Sequence, residues 1–328
     1  MDAHPPTGIP LTVIGGFLGV GKTTLLNRLL TEAHDRRLAV LVNDFGAINI
    51  DAELVQERHG DTIDLTNGCV CCGVSGELMF ALAGLRDRDD PPEHVIVEAS
   101  GVGDPAAIAA YGDFPGFARD ACVVLADAET VRARASDGTI GRQLVEQLRA
   151  ADLVVLNKTD LVSAEELAQT RGWLRETLPM AGIVEATFGD VPADFLLGPH
   201  EASPPRGAPA ATHEEHEHER EHGHQHRDAH PEFASWSWAG DAALNGTALC
   251  QDLIALPEGV LRAKGFLHLR EDPEHRYLLQ LVGRRWNIKL DRPWNEDVAG
   301  SRIVVIGLSP AIRPDELDAT LARLSAPG

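Results

Sequence analysis

Gly16-Phe-Leu-Gly-Val-Gly-Lys-Thr23 fits the spacing G-x-x-x-x-G-K-[ST]. Upstream, Ile9-Pro-Leu-Thr-Val-Ile14 is a short, apolar, β-branched run that predicts a buried strand. Downstream, Thr24-Leu-Leu-Asn-Arg-Leu-Leu30 carries apolar residues at helical spacing. Strand, glycine loop and helix together predict a phosphate-binding loop. Glycines let the chain curl so that several amides face one anion, and the helix start adds partial positive charge. Gly16, Gly19, Val20, Gly21, Lys22, Thr23 and Thr24 are the candidate nucleotide contacts, with Lys22 reaching the β- and γ-phosphates and the Thr23 hydroxyl holding Mg²⁺.

Outward from this loop, Leu38–Val42, Thr62–Leu65, His94–Val97, Ala121–Ala126, Leu153–Leu156 and Gly182–Ala186 read as strands, with a helix expected over Glu77–Leu85. Short apolar strands alternating with helices indicate an α/β fold with a mostly parallel, doubly wound sheet. Ligands bind such sheets at the carboxyl ends of the strands, where the loop, Asp44, Glu98 and Asn157 should converge.

Four domain segments are expected: a tail over residues 1–8, a P-loop domain over 9–198, a Pro/His-rich linker over 199–231 and a smaller α+β domain over 232–328. The linker contains His213-Glu-Glu-His-Glu-His-Glu-Arg-Glu-His-Gly-His-Gln-His226, which can bury little and is expected to be mobile. Its imidazoles could collect metal ions weakly, or it could be a solvated acidic spacer. Beyond it, Phe233–Trp238, Leu261–Leu269, Tyr277–Val282, Arg285–Leu290 and Ile303–Gly307 read as strands of a mainly antiparallel sheet. Helices are expected over Ala243–Leu256 and Asp315–Leu324.

The formal net charge of −21 argues against nucleic acid and anionic membranes as general partners. Neither a signal peptide nor a spanning segment is legible. Five cysteines, three of them crowded within four residues, suit a reducing cytoplasm rather than a disulfide framework. Self-association is left open.

Three further groups carry chemistry. In Asn157-Lys158-Thr159-Asp160, the Asp160 carboxylate can accept from the ring N–H and exocyclic amine of guanine, which adenine cannot satisfy. Asn157 can bond the other base edge, and the Lys158 stem can lie along the ring. Glu98 closes a Walker-B-like strand, and Gly101 could lend its N–H to the γ-phosphate. Asp44 is a second candidate beside Mg²⁺, unless one of these acids only caps a helix. Cys69, Cys71 and Cys72 suit a transition metal such as Zn²⁺, Co²⁺ or Cu(I), with packing or redox roles as alternatives. Cys122 and Cys250 lie in apolar surroundings and read as packing residues.

Taken together, these residues resemble the CobW-type metallochaperone GTPases of the SIMIBI class. Gly15–Thr24 resembles the family's P-loop, Gly68–Cys72 its metal motif, Glu98-Ala-Ser-Gly101 its Walker-B segment and Asn157–Asp160 its guanine loop. Ala186–Pro192 resembles the segment closing the GTPase domain, and Arg262-Ala-Lys-Gly265 a signature of the C-terminal domain. The resemblance implies GTP hydrolysis coupled to delivery of a metal, zinc first and cobalt or iron as alternatives, to a client metalloprotein. Two positions depart from it. Ala47 stands where many members place an acid, and Ala99 where many place Thr. The candidate catalytic set is Lys22, Glu98 and Asp44. Rival functions are a metal buffer with a vestigial nucleotide site and a nucleotide-dependent kinase. The guanine loop and the lack of a legible acceptor site argue against the kinase.

Overall fold

The computed structural model describes residues 8–33, 36–42, 61–64, 75–198, 233–294 and 299–326. The N-terminal unit is a seven-stranded parallel sheet in the order β3-β2-β4-β1-β5-β6-β7. Its strands are β1 (Ile9–Gly16), β2 (Leu38–Val42), β3 (Asp61–Asp64), β4 (His94–Glu98), β5 (Phe117–Asp127), β6 (Leu153–Asn157) and β7 (Gly182–Glu185). Its α-helices among the described residues are α1 (Lys22–Glu32), α2 (Ser75–Arg86), α3 (Pro105–Ala109), α4 (Val131–Ala135), α5 (Gly141–Arg149), α6 (Ala164–Thr177) and α7 (Ala193–Leu197).

Alternation along each strand sends side chains to opposite faces. Leu11, Val13, Val95, Val97 and Val124 therefore build one core layer with Leu78 and Leu82 of α2 and Leu144 and Leu148 of α5. Ile14, Val40, Ile96, Val123 and Val155 build the other with Leu25, Leu26 and Leu29 of α1 and Phe195 of α7. Both faces are covered, which explains why β2, β4 and β6 are apolar runs rather than alternating ones.

The C-terminal unit is a five-stranded antiparallel sheet, β11-β10-β9-β12-β8. Its strands are β8 (Phe233–Gly240), β9 (Val260–Leu269), β10 (Asp272–Val282), β11 (Arg285–Pro293) and β12 (Ser301–Leu308). Helices α8 (Gly246–Ala255) and α9 (Pro314–Ser325) cover one face through Leu249, Leu253, Leu321 and Leu324. Leu261, Val282 and Ile306 instead join the core layer of the parallel sheet, so the two units share apolar surface.

A buried polar joint fixes that contact. Arg262, 2% exposed, donates from Nη2 to both Asp120 oxygens at 2.6 and 2.7 Å and from Nη1 to the Leu196 carbonyl at 2.7 Å. Asp120 also accepts from the Thr12 hydroxyl at 2.9 Å. Since that single proton points to Asp120, the His94 Nε2 2.8 Å away donates to Thr12, which fixes the Nε2–H tautomer. Nearby, Arg285 donates to Asp152 at 2.6 and 2.8 Å and to the Asp120 carbonyl at 2.7 Å. Burial pushes the His94 pKa down to about 3, the imidazole staying neutral despite Asp120. Burial alone would raise Asp120, but the Arg262 guanidinium holds it down at about 2. The joint lies toward the amino ends of the parallel strands, away from the rim formed by their carboxyl ends.

Candidate functional site

At the carboxyl rim, β1 runs into the glycine loop and the loop into α1. Gly21 is the residue before the helix, with φ of 104°. A Cβ there would also come within 2.5 Å of the Asn157 Nδ2. Only glycine meets both demands, backbone conformation and close approach. Lys22 is buried, with Nζ donating to the Gly16 carbonyl at 3.0 Å and the Phe17 carbonyl at 3.5 Å. The same Nζ lies 4.0 Å from Glu98 Oε1. The lysine and the acid at the end of β4 thus stand side by side, because β4 and β1 are paired neighbours with Ile14 opposite Glu98.

After β6, three loops are joined through one side chain. Asn157, 2% exposed, donates from Nδ2 to the Val20 carbonyl at 2.9 Å and accepts on Oδ1 from the Gly189 amide at 2.9 Å. Its amide thus forms a strut between the phosphate loop and the 187–190 loop. Thr159 strengthens this junction, its hydroxyl donating to the Ala186 carbonyl at 3.1 Å. Lys158 has φ of 62° and its Nζ donates to Asp127 Oδ2 at 2.8 Å. Asp127 in turn accepts from the amides of Glu129 and Thr130 at 3.0 and 3.3 Å. This fixes the far end of the Lys158 stem. Asp160 is exposed beside this junction, with its carboxylate at the surface.

Gly101 sits against the phosphate loop, where an added Cβ would overlap the Leu18 side chain. Gly16, Gly19, Val20, Gly21, Lys22, Thr23 and Thr24 form the strand–loop–helix turn itself. The structure therefore gathers this loop, Glu98, Gly101, Asn157, Lys158 and Asp160 at one rim. Asp44 and the cysteines Cys69, Cys71 and Cys72 lie outside the described residues, as does the histidine-rich segment. Among the described residues there is no cluster of three or more His, Cys, Asp or Glu side chains able to hold a metal. Cys122 is buried, and burial pushes its thiol up to about 12, which rules it out as a ready thiolate ligand. For Mg²⁺, the Thr23 hydroxyl and the Glu98 carboxylate supply the hard oxygen donors that this ion takes, so the residues present fit it. Asp127, which orients Lys158, escapes the sequence reading. Its signal is the same as that of Glu98, an acid closing a buried apolar strand.

Comparison with known proteins agrees with this geometry. Residues 10–185 match the family described as CobW/HypB/UreG, nucleotide-binding domain, and residues 233–325 match the Cobalamin synthesis protein cobW C-terminal domain. The chain is 35% identical to a zinc chaperone CobW of Pseudomonas aeruginosa, over 96% of this chain and 92% of that protein. It is 33% identical to a zinc chaperone CobW of a Sinorhizobium species, over 92% of this chain and 93% of that protein. A solved structure of the Zn(II)-bound YjiA GTPase from E. coli aligns over 97% of this chain and 99% of that one, at 22% identity and a TM-score of 0.43. Among the described residues no helix is long and apolar enough to cross a membrane. With both family matches spanning most of its length and the glycine loop, Glu98 and the 157–160 segment on one rim, the chain belongs to the CobW/HypB/UreG family of P-loop GTPases.

Proposed function

We propose that this GTPase is a metallochaperone whose nucleotide state governs a thiolate site for a transition metal, zinc foremost, delivered to a client metalloprotein. The observation that carries the reading is topological. β3 runs parallel to β2 and ends at Asp64, on the rim that holds Lys22 and Glu98, and Cys69 follows five residues later. The two relatives named as zinc chaperones support zinc as the cargo.

In hydrolysis, Lys22 leaves its carbonyl partners in the loop to pair with the β- and γ-phosphate oxygens. Gly101 donates its amide to the γ-phosphate, and water attacks in line. Asp160 selects guanine, with Asn157 and Lys158 holding the reading loop in place. Mg²⁺, held by Thr23 and Glu98 with Asp44 as a further candidate, would neutralise charge developing on the phosphate oxygens.

Switching the metal site from mostly empty to mostly filled requires about 10⁴-fold difference in affinity between nucleotide states, about 5.5 kcal/mol. Structural zinc–thiolate sites are worth about 10–16 kcal/mol, so losing part of the ligand set is enough. The test is chelator competition with Zn²⁺ or Co²⁺ in the presence of Mg²⁺ and either GDP or a non-hydrolysable GTP analogue. Tighter binding with the analogue, lost in Cys69→Ser and Cys71→Ser, is expected. Equal affinity in the two states favours the second reading, a metal buffer, to which the histidine-rich composition of residues 213–230 lends support.

A further inference from the structure

The loop that carries Gly101 is held from outside the nucleotide site. Three consecutive carbonyls, those of Gly101, Val102 and Gly103, accept hydrogen bonds from two glutamines one turn apart on α5. Gln147 Nε2 donates to Gly101 at 3.2 Å and Gly103 at 2.7 Å, and Gln143 Nε2 donates to Val102 at 2.6 Å. Gln147 is buried, and its Oε1 has no hydrogen-bond partner. The amide orientation therefore comes from the loop alone, since a flip would set Oε1 against two carbonyl oxygens.

The turn inside the loop adds a direction. Gly103 donates to the Ser100 carbonyl at 2.8 Å. The Gly101 amide is trans to that carbonyl across a planar peptide, so it faces out of the turn. Gly101 itself lies against Leu18 of the phosphate loop without room for a Cβ. The neighbouring helix α4 completes a bracket. Arg134 donates to the Leu18 carbonyl at 3.2 Å and lies 5.6 Å from the Phe17 ring centroid. The segment from α4 to α5 thus grips both the phosphate loop and the loop facing it.

We infer that Gln147, assisted by Gln143, is a positioning residue for GTP hydrolysis, presetting the Gly101 amide for the γ-phosphate. This rests on the assignment of the phosphate loop and Gly101 to that phosphate. An amide fixed before the charge develops contributes more than one that must be ordered during the reaction. Neither glutamine lies in the base-reading loop, so the effect falls on the γ-phosphate and not on guanine or the β-phosphate.

The test measures single-turnover GTP hydrolysis with Mg²⁺, together with the affinities for GDP and for a non-hydrolysable GTP analogue. Gln147→Met keeps the length and removes both donors. A rate loss of between about 10- and 100-fold is expected. The preference for the analogue over GDP should shrink, while GDP affinity stays within about twofold of wild type. Gln143→Ala should lose less, since it removes one bond. Gln143 is exposed, so this variant keeps the test decisive should Gln147→Met fail to fold. Wild-type rate and wild-type analogue preference in the folded variants overturn the inference, as does an equal loss of GDP and analogue affinity. Lys22→Ala serves as the reference. If it too hydrolyses normally, the phosphate-loop assignment has failed, whereas an inactive Lys22→Ala beside a normal Gln147→Met refutes the bracket alone.

Discussion

Replacing Arg262 with Met keeps the length and apolar bulk of the side chain while removing three hydrogen bonds and a charge. Asp120 would remain, 4% exposed, with the Thr12 hydroxyl and a neutral His94 as its nearest support. Breaking a buried pair by removing one partner costs about 3–5 kcal/mol, because the remaining charge is uncompensated. The Leu196 carbonyl loses its donor as well, which adds about 1 kcal/mol or more. A loss of at least about 4 kcal/mol is expected, a large share of the roughly 5–15 kcal/mol that holds a folded domain together. With a urea m-value of about 2 kcal/mol/M, the unfolding midpoint moves down by about 2 M. The assay is urea unfolding at pH 7.5, followed by tryptophan fluorescence and by far-ultraviolet circular dichroism. Asp120→Asn combined with Arg262→Met should recover about 2–3 kcal/mol relative to the sum of the single losses, since the introduced amide needs no counter-charge but still accepts from Thr12. A loss under about 1 kcal/mol for Arg262→Met, or single losses that add to within about 0.5 kcal/mol, would refute the reasoning.

The neutral, buried His94 makes stability fall with acid. Its folded pKa of about 3 lies below the ordinary 6.5, so the unfolded chain binds a proton that the folded one does not. This contribution is complete above pH 6.5 and is lost as pH falls toward 3, at about 2 kcal/mol between pH 6.5 and 5. Urea midpoints at pH 7, 6 and 5 should fall less steeply in His94→Gln than in wild type, and parallel curves would contradict the assignment. Gly21→Ala should lose nucleotide binding because its Cβ strikes Asn157 and φ of 104° is disfavoured; normal GDP affinity by titration would count against the loop geometry. Asp160→Asn should move preference from GTP to xanthosine triphosphate, whose 2-oxo group accepts from the new amide. Unchanged GTP preference in a competition assay would remove Asp160 from the base site.

The parallel sheet is legible because its strands are apolar runs between glycine, proline and polar breaks, and the phosphate loop because its spacing is tied to a strand and a helix. The position of Asp160 and Lys158 at the rim is legible for the same reason, since both lie just after the buried run Leu153–Leu156. What is not legible depends on partners far apart in the chain. Arg262 meets Asp120 across 142 positions, so its sequence pattern shows a strand residue with a charge and nothing of the joint. The glutamines of α5 carry no sign of their partners in the sequence, and only the packed structure shows which carbonyls they meet. Strand β10 begins at Asp272 and not at Tyr277, because Asp272 and Arg276 pair with β9 although their polar side chains break the apolar alternation. The bridge that Asn157 makes between the Val20 carbonyl and the Gly189 amide is not legible for a related reason: both partners are far away in the chain.

Strand β1 belongs to both ends of the molecule at once. Thr12 lies in the polar joint with the C-terminal unit, and Gly16 opens the phosphate loop, four residues or about 13 Å away. Along this stretch β1 is held by β4 on one side and β5 on the other. It is the covalent path between the two: a shift of the loop that is not taken up in the loop runs along β1 toward the joint. The C-terminal unit packs apolar side chains into the core layer on one face of the parallel sheet, so that path ends on it.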